Sequence, residues 1–256
     1  MEILYGVHPV AEALRARRRR LLRLHVRKGR GGREVARLLA RAADLGVPVE
    51  EEPEASFRRL APPDANTQGI LLEAGPLPIL GLDELVAAAR QLEGERSLIL
   101  VALDGVEDPQ NLGAIARVAE AAGAGGLILT ERRAPPLGPA VARASAGAIE
   151  SLPVARVPNL GGALDHLKER GFWIFGADPE APEELFSLPD HLFRGDACVV
   201  FGAEGRGLRP GIRRRVDHAL RVPMAGRVAS LNVAASAAVV LYEWLRRLPG
   251  RTAGTP

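Results

Sequence analysis

Residues Leu98 to Leu103 form an unbroken apolar run, Leu-Ile-Leu-Val-Ala-Leu, bounded by Ser97 and Asp104. A strand with one wet face alternates apolar and polar residues. A run apolar at every position predicts a strand buried on both faces, as in a parallel sheet covered by helices above and below. Parallel neighbours require long crossovers, and the chain supplies them. Leu112–Ala122 has helical periodicity and stops at Gly123, and Gly126–Leu129 is the next strand. Val154–Val157, Trp173–Ala177, Ala197–Phe201 and Ala219–Val222 follow as strands, with helices at Leu160–Arg170 and Leu231–Leu248. Repeated strand–helix units predict an α/β fold with an open, mostly parallel sheet. Ligands of such sheets sit in loops at the carboxyl ends of the strands.

The first part of the chain is a separate, smaller α/β unit. A helix is expected within residues 6–20, closed by the arginines Arg15 to Arg20, followed by a strand at Leu21–Val26. A helix at Arg33–Leu45, a strand at Val47–Glu51, a helix at Glu54–Leu60 and a strand at Gly69–Glu73 complete it. Gly75-Pro76-Leu77-Pro78 is a stiff connector. The expected domains are therefore 1–74, a linker and leading helix over 75–95, a main domain over 96–250 and a flexible tail over 251–256.

Charge separates the two parts. Eleven of the 34 Lys and Arg residues but only three acidic residues fall within 1–40, a balance of +8 in a chain whose total is +3. One basic end is the pattern of a chain that holds a polyanion. Arg17, Arg18, Arg19, Arg20, Lys28 and Arg30 are the candidate RNA contacts. A single cysteine, Cys198, excludes an internal disulfide. No apolar run reaches the roughly 18 residues of a membrane span, and no signal-peptide core precedes the arginines, so a cytoplasmic protein is expected. The five histidines are dispersed without ligand spacing, so no metal is expected.

Three loops at predicted strand ends hold the candidate site. After Leu103 comes Asp104 to Arg117, with Asn111 as a candidate helix N-cap. Arg117 stands among Ala114, Ile115, Ala116 and Val118, and an arginine in such surroundings usually has an anionic or polar partner. After Phe201 comes Gly202-Ala203-Glu204-Gly205-Arg206-Gly207, whose glycines permit positive φ and close backbone approach. After Val222 come Pro223-Met224-Ala225-Gly226 and then Ser230-Leu231-Asn232-Val233, at a helix start. Singly, each pattern also fits a capped helix, a tight turn or a solvated arginine.

Together they resemble the three motifs of the SpoU (TrmH-type) RNA 2′-O-ribose methyltransferases, in order and spacing over residues 97–247. Ser145-Ala146-Gly147-Ala148 resembles an intermediate family motif. Tyr5 to Val10 and Gln68-Gly69-Ile70 resemble the opening and closing segments of the family's accessory RNA-binding domain. The pairing of domains is most similar to the RlmB-type branch, which methylates a guanosine in 23S rRNA, although Asn66-Thr67-Gln68 departs from the usual Asn-His-Gln.

The resemblance implies a SPOUT-type trefoil-knotted sheet, S-adenosylmethionine as cofactor, structured RNA as substrate and a homodimer. The alanine-rich stretch Ala234–Ala238 suits such a dimer contact. It also implies cofactor contacts by Gly202, Val222 and Leu231, largely through backbone, with Phe201, Ala203 and Met224 beside them. It places Arg117 at the ribose hydroxyl, with Asn111, Glu204, Ser230 and Asn232 organising the catalytic loops. A tRNA methyltransferase and a non-catalytic RNA-binding protein with the same fold are the alternatives. Retention of all five catalytic-motif residues favours the enzyme.

Overall fold

A computed structural model describes residues 1–93, 96–203 and 205–248. In chain order the elements begin with β1 (Glu2–Tyr5), α1 (Val7–Ala16), β2 (Leu21–Arg27), α2 (Arg33–Asp44), β3 (Val49–Glu52), α3 (Glu54–Leu60) and β4 (Ile70–Ala74). Then come α4 (Leu82–Glu93), β5 (Ile99–Asp104), α5 (Pro109–Ala121), β6 (Gly126–Thr130), α6 (Pro139–Ala144), β7 (Val154–Val157), α7 (Leu160–Glu169) and β8 (Trp173–Ala177). The last are β9 (Glu183–Glu184), β10 (Ala197–Gly202), α8 (Pro210–Arg213), β11 (His218–Arg221) and α9 (Val233–Arg247). The chain divides into two compact units, Met1–Pro78 with Pro136–Ser151, and Ile79–Pro135 with Leu152–Pro256. The expected tail at 251–256 lies outside the described residues.

The first unit is a four-stranded sheet in the order β1-β4-β2-β3. β4 runs antiparallel to β1 and β2, and β3 runs parallel to β2. Strand β1 escaped the sequence reading, because four residues are too few to show a period. The opening and closing segments meet: Val7 donates its backbone N–H to Gln68 Oε1 at 2.9 Å, and Gly6 donates to the Ile70 carbonyl at 3.2 Å. Helix α1 ends earlier than expected. Arg17 adopts φ 52 and caps the helix by donating to the Ala13 carbonyl, so the arginine run follows the helix instead of closing it.

Arg19 corrects the sequence expectation. Its side chain is fully buried, 2.7 Å from Glu150 and 2.5 Å from Glu2. It also donates to the carbonyls of Gly75 at 3.2 Å and Leu137 at 3.3 Å. A guanidinium occupied in this way is a structural cation and is not free for an RNA phosphate. The same contacts explain why residues 136–151, which the sequence reading placed within 96–250, group with the N-terminal unit. Gly147 is required there: a Cβ on it would lie 2.7 Å from Glu12 Cβ, and its φ is +91°.

The second unit holds a seven-stranded sheet ordered β7-β6-β5-β10-β8-β11-β9, parallel at every junction. All residues of β5 and β10 are buried, as the unbroken apolar run requires. Leu98, Leu100, Ala102, Cys198 and Val200 belong to one core cluster with Leu160, Leu164 and Leu167 of α7 and with Leu85 of α4. Phe175 of β8 meets Trp244 of α9 edge-on at 4.7 Å, and α9 packs along α5. Burial pushes the Cys198 thiol up, which keeps it protonated and unreactive.

Removing one partner of a buried ion pair leaves the other uncompensated, at a cost of about 3–5 kcal/mol. Arg19→Met is therefore expected to lower stability by that order. Arg20→Ala, at an exposed position, is expected to change it by under about 0.5 kcal/mol. Thermal and urea unfolding of the two variants check the contrast.

Candidate functional site

The carboxyl edge of the parallel sheet is organised by one buried carboxylate. Asp104 ends β5, and its side chain has no exposed surface. It accepts from the backbone N–H of Arg209 at 2.8 Å and from Arg209 Nε at 2.6 Å. This draws the returning limb of the loop after β10 against the end of β5. Within that loop, Ala203 donates to the Asp104 carbonyl at 3.1 Å, and Gly207 donates to the Ala203 carbonyl at 2.9 Å. A Cβ on Gly202 would stand 2.2 Å from the Gly207 backbone, so only glycine allows the loop to close on itself.

The closed loop contributes to a cavity of about 470 Å³, within the usual range for small-molecule sites. Phe201, Gly202 and Ala203 enter it from the end of β10. Val222 and Met224 enter from the stretch after β11, and Ser230 and Leu231 from the approach to α9. All six residues that the sequence associated with a cofactor thus line one cavity. Sequence reasoning missed its charged members Asp178, Glu180 and Arg213. Arg213 Nε lies 2.8 Å from Asp178 and its Nη1 lies 3.5 Å from Glu180. Their one sequence signal is that Asp178 directly follows β8, at the same sheet edge as the three loops.

Helices α5 and α9 begin side by side. Asp108 is the N-cap of α5, accepting from the backbone N–H groups of Gln110 and Asn111, with Pro109 in the first turn. This corrects the assignment of Asn111 as the cap. Asn111 is one turn inside, and its Oδ1 accepts from Asn232 Nδ2 at 3.0 Å. Asn232 is the cap of α9, accepting from Ala234 N at 2.9 Å and Ala235 N at 3.4 Å. The side-chain amide of Asn232 therefore fixes its own helix and joins it to α5 at once. Arg117 lies six residues beyond Asn111, about 9 Å along the axis at 1.5 Å per residue. It is exposed and is not among the cavity's lining residues. Ser230 is exposed at the cavity. Glu204 lies outside the described residues.

The candidate RNA contacts also differ among themselves. Arg17, Arg20 and Lys28 are exposed. Arg18 is half-buried and reaches the Glu150 carbonyl at 3.4 Å. Arg30 is half-buried and donates to the Gln68 carbonyl at 2.9 Å. Among the described residues no helix is long and apolar enough to cross a membrane.

Comparison with known proteins bears on both units. A family model for the SpoU rRNA Methylase family matches residues 98–242. A second, for RNA 2′-O ribose methyltransferase substrate binding, matches residues 3–80. The chain is 36% identical over 246 residues to the 23S rRNA (guanosine-2′-O-)-methyltransferase RlmB of Pseudomonas aeruginosa, covering 96% of each. It is 34% identical over 242 residues to YacO of Bacillus subtilis, assigned to the TrmH family of tRNA/rRNA methyltransferases, covering 94% of each. Among solved structures it superposes with a TM-score of 0.77 on the SpoU methyltransferase AviRb from Streptomyces viridochromogenes in complex with AdoMet. That match is 25% identical and covers 96% of this chain and 89% of the other.

Releasing the tether should loosen the cavity. Asp104→Ala is expected to weaken binding of S-adenosylmethionine about tenfold, or 1.4 kcal/mol, while the sheet stays folded. Calorimetric titration beside a thermal melt checks this.

Proposed function

Because this chain belongs to the SpoU rRNA methylase family, and is with it an S-adenosylmethionine-dependent methyltransferase, we propose that it methylates the ribose 2′-hydroxyl of a guanosine in 23S rRNA. The observation that carries this reading is the convergence of the loop after β10 and the stretch after β11 on one cavity beside the joined starts of α5 and α9. The identity with an enzyme named for that reaction extends over nearly the whole of both chains. The YacO relative supports a second reading, in which the substrate is a tRNA.

The cavity suits the cofactor in size and in its mixture of apolar and polar lining residues. Gly202, Val222 and Leu231 would hold it largely through backbone groups, with Phe201, Ala203 and Met224 beside it. The bound cofactor supplies an electrophilic sulfonium methyl group. The chain's own task is to orient the ribose hydroxyl in line with that methyl group and to stabilise charge as it develops. Arg117 does this as a cation, gripping the nucleotide's phosphate and offsetting the developing alkoxide. An arginine is not deprotonated in proteins, so it does not act as the base, and the hydroxyl proton passes to solvent water, which reaches this exposed position. Asn111 and Asn232 fix two helix starts, whose partial positive charge favours the same anionic groups. Ser230 orders the loop at the cavity.

RNA is anchored by the N-terminal unit, with Arg17, Arg20 and Lys28 as phosphate contacts and Arg18 and Arg30 in support. Arg19 has no part in this. The enzyme works in the cytoplasm as a homodimer. Ala234 and Ala237 are buried, so the alanine face first expected at a dimer contact partly serves the chain's own packing. Ala235, Ala238, Val239 and Tyr242 recur instead at helical spacing with surface still exposed, Tyr242 at 49%, and form the stripe for a second copy. The trefoil crossing belongs to the same reading. Its support is the insertion of β10 between β5 and β8 in the strand order.

With labelled S-adenosylmethionine and 23S rRNA, the label is expected on 2′-O-methylguanosine after nuclease digestion. Label found with tRNA alone would favour the second reading. Arg117→Ala is expected to reduce turnover at least a thousandfold, a barrier increase of about 4 kcal/mol, without changing cofactor affinity. Arg117→Lys is expected to fail similarly, because a point charge does not replace a planar fork.

A further inference from the structure

The N-terminal unit gathers on one face of its sheet a group of side chains that methyl transfer does not use. His25 of β2 is buried, its side chain only 4% exposed. Its two ring nitrogens each face a carboxylate. Nδ1 lies 3.2 Å from Glu52 Oε1 on β3, and Nε2 lies 3.2 Å from Glu73 Oε1 on β4. Glu50 Oε2 on β3 stands 3.9 Å from Nδ1, while its other oxygen pairs with Arg23. The strand register produces the cluster. His25 lies opposite Glu50 and Leu71 in its two neighbouring strands. Glu52 and Glu73 then fall two residues along on the same face.

A neutral imidazole carries one N–H, so it can donate to only one of these carboxylates. The other contact sets a nitrogen lone pair against an oxygen lone pair, unless a second proton or a metal cation lies between them. Donation from Nε2 to Glu73 leaves the Nδ1 lone pair facing Glu50 and Glu52. A ligand histidine whose second nitrogen is held by a carboxylate is the common arrangement around protein-bound metals. The distances point the same way. Charge-assisted N–H···O bonds run about 2.7–2.9 Å, shorter than either contact. Tetrahedral zinc with bonds of about 2.0–2.1 Å spaces its ligands about 3.3 Å apart, close to the 3.2 Å between Nδ1 and Glu52, while Glu50, at 3.9 Å, has to draw in to complete the set. The three ligand atoms lie within 4.8 Å of one another.

We propose that His25 Nδ1, Glu50 Oε2 and Glu52 Oε1 bind a divalent ion of the zinc class, with Glu73 fixing the tautomer and water in the fourth position. Glu50 serves the ion and Arg23 through different oxygens, so neither contact displaces the other. The ion ties the four-residue edge strand β3, which among the described residues pairs only with β2, into the sheet. It also offsets three carboxylates on a unit that has to approach RNA.

The test uses the full chain, stripped by chelator and titrated with Zn²⁺ by calorimetry and with Co²⁺ by visible absorption. The expected result is one ion per chain with the intense bands of a tetrahedral Co²⁺ site, and a melting temperature that rises with Zn²⁺. Glu52→Gln keeps the side chain's size and is expected to weaken binding at least a hundredfold and remove the melting shift. Glu73→Gln is expected to weaken binding tenfold to a hundredfold. Chelator-treated melts of both variants establish that they fold. If the wild-type chain binds no more tightly than Glu52→Gln, the proposal is overturned.

Discussion

The second unit depends on the pairing of β10 between β5 and β8. Those three strands are parallel, so they deliver their carboxyl ends, and the loops that leave them, to one edge. Asp104 then converts proximity into a fixed shape. Its buried carboxylate binds both the backbone and the side chain of Arg209, and Gly202 lets the intervening loop close. The cavity follows from these local facts, and the Asn111–Asn232 contact sets two helix starts beside it.

How far the sequence revealed this depended on the range of the signal. The apolar run at 98–103 identified the buried strand because burial on both faces leaves a mark on consecutive residues. The cavity-lining residues were legible because they sit in loops whose glycines and polar residues depart from the surrounding apolar pattern. Asp104 was named only as the start of a loop, since nothing local distinguishes a buried carboxylate from a turn residue. Its partner lies 105 residues away. Asp108 rather than Asn111 as the cap is a smaller case: both are good cap residues, and the choice depends on Pro109 starting the helix.

The basic N-terminal stretch shows how composition misleads at single-residue resolution. The +8 balance is a property of residues 1–40, yet Arg19 within it is fully buried against Glu150 and Glu2. Nearby Arg17 and Arg20 are exposed. A run of like charges leaving a helix must turn, and one member points inward and needs an acidic partner there. The histidines show the reverse. Spacing along the chain does not bring His25 near Glu50 and Glu52, which become neighbours only through strand pairing.

The central claim is that the cavity at the carboxyl edge is the cofactor site and is already formed by the chain's own loops. The most direct measurement is a crystal structure of the protein with S-adenosylmethionine. The expected result is the cofactor seated between Gly202 and Leu231, with the Asp104–Arg209 contacts intact and the loop after β10 unmoved. Cofactor bound elsewhere, or bound only after that loop has left Asp104, would contradict the account.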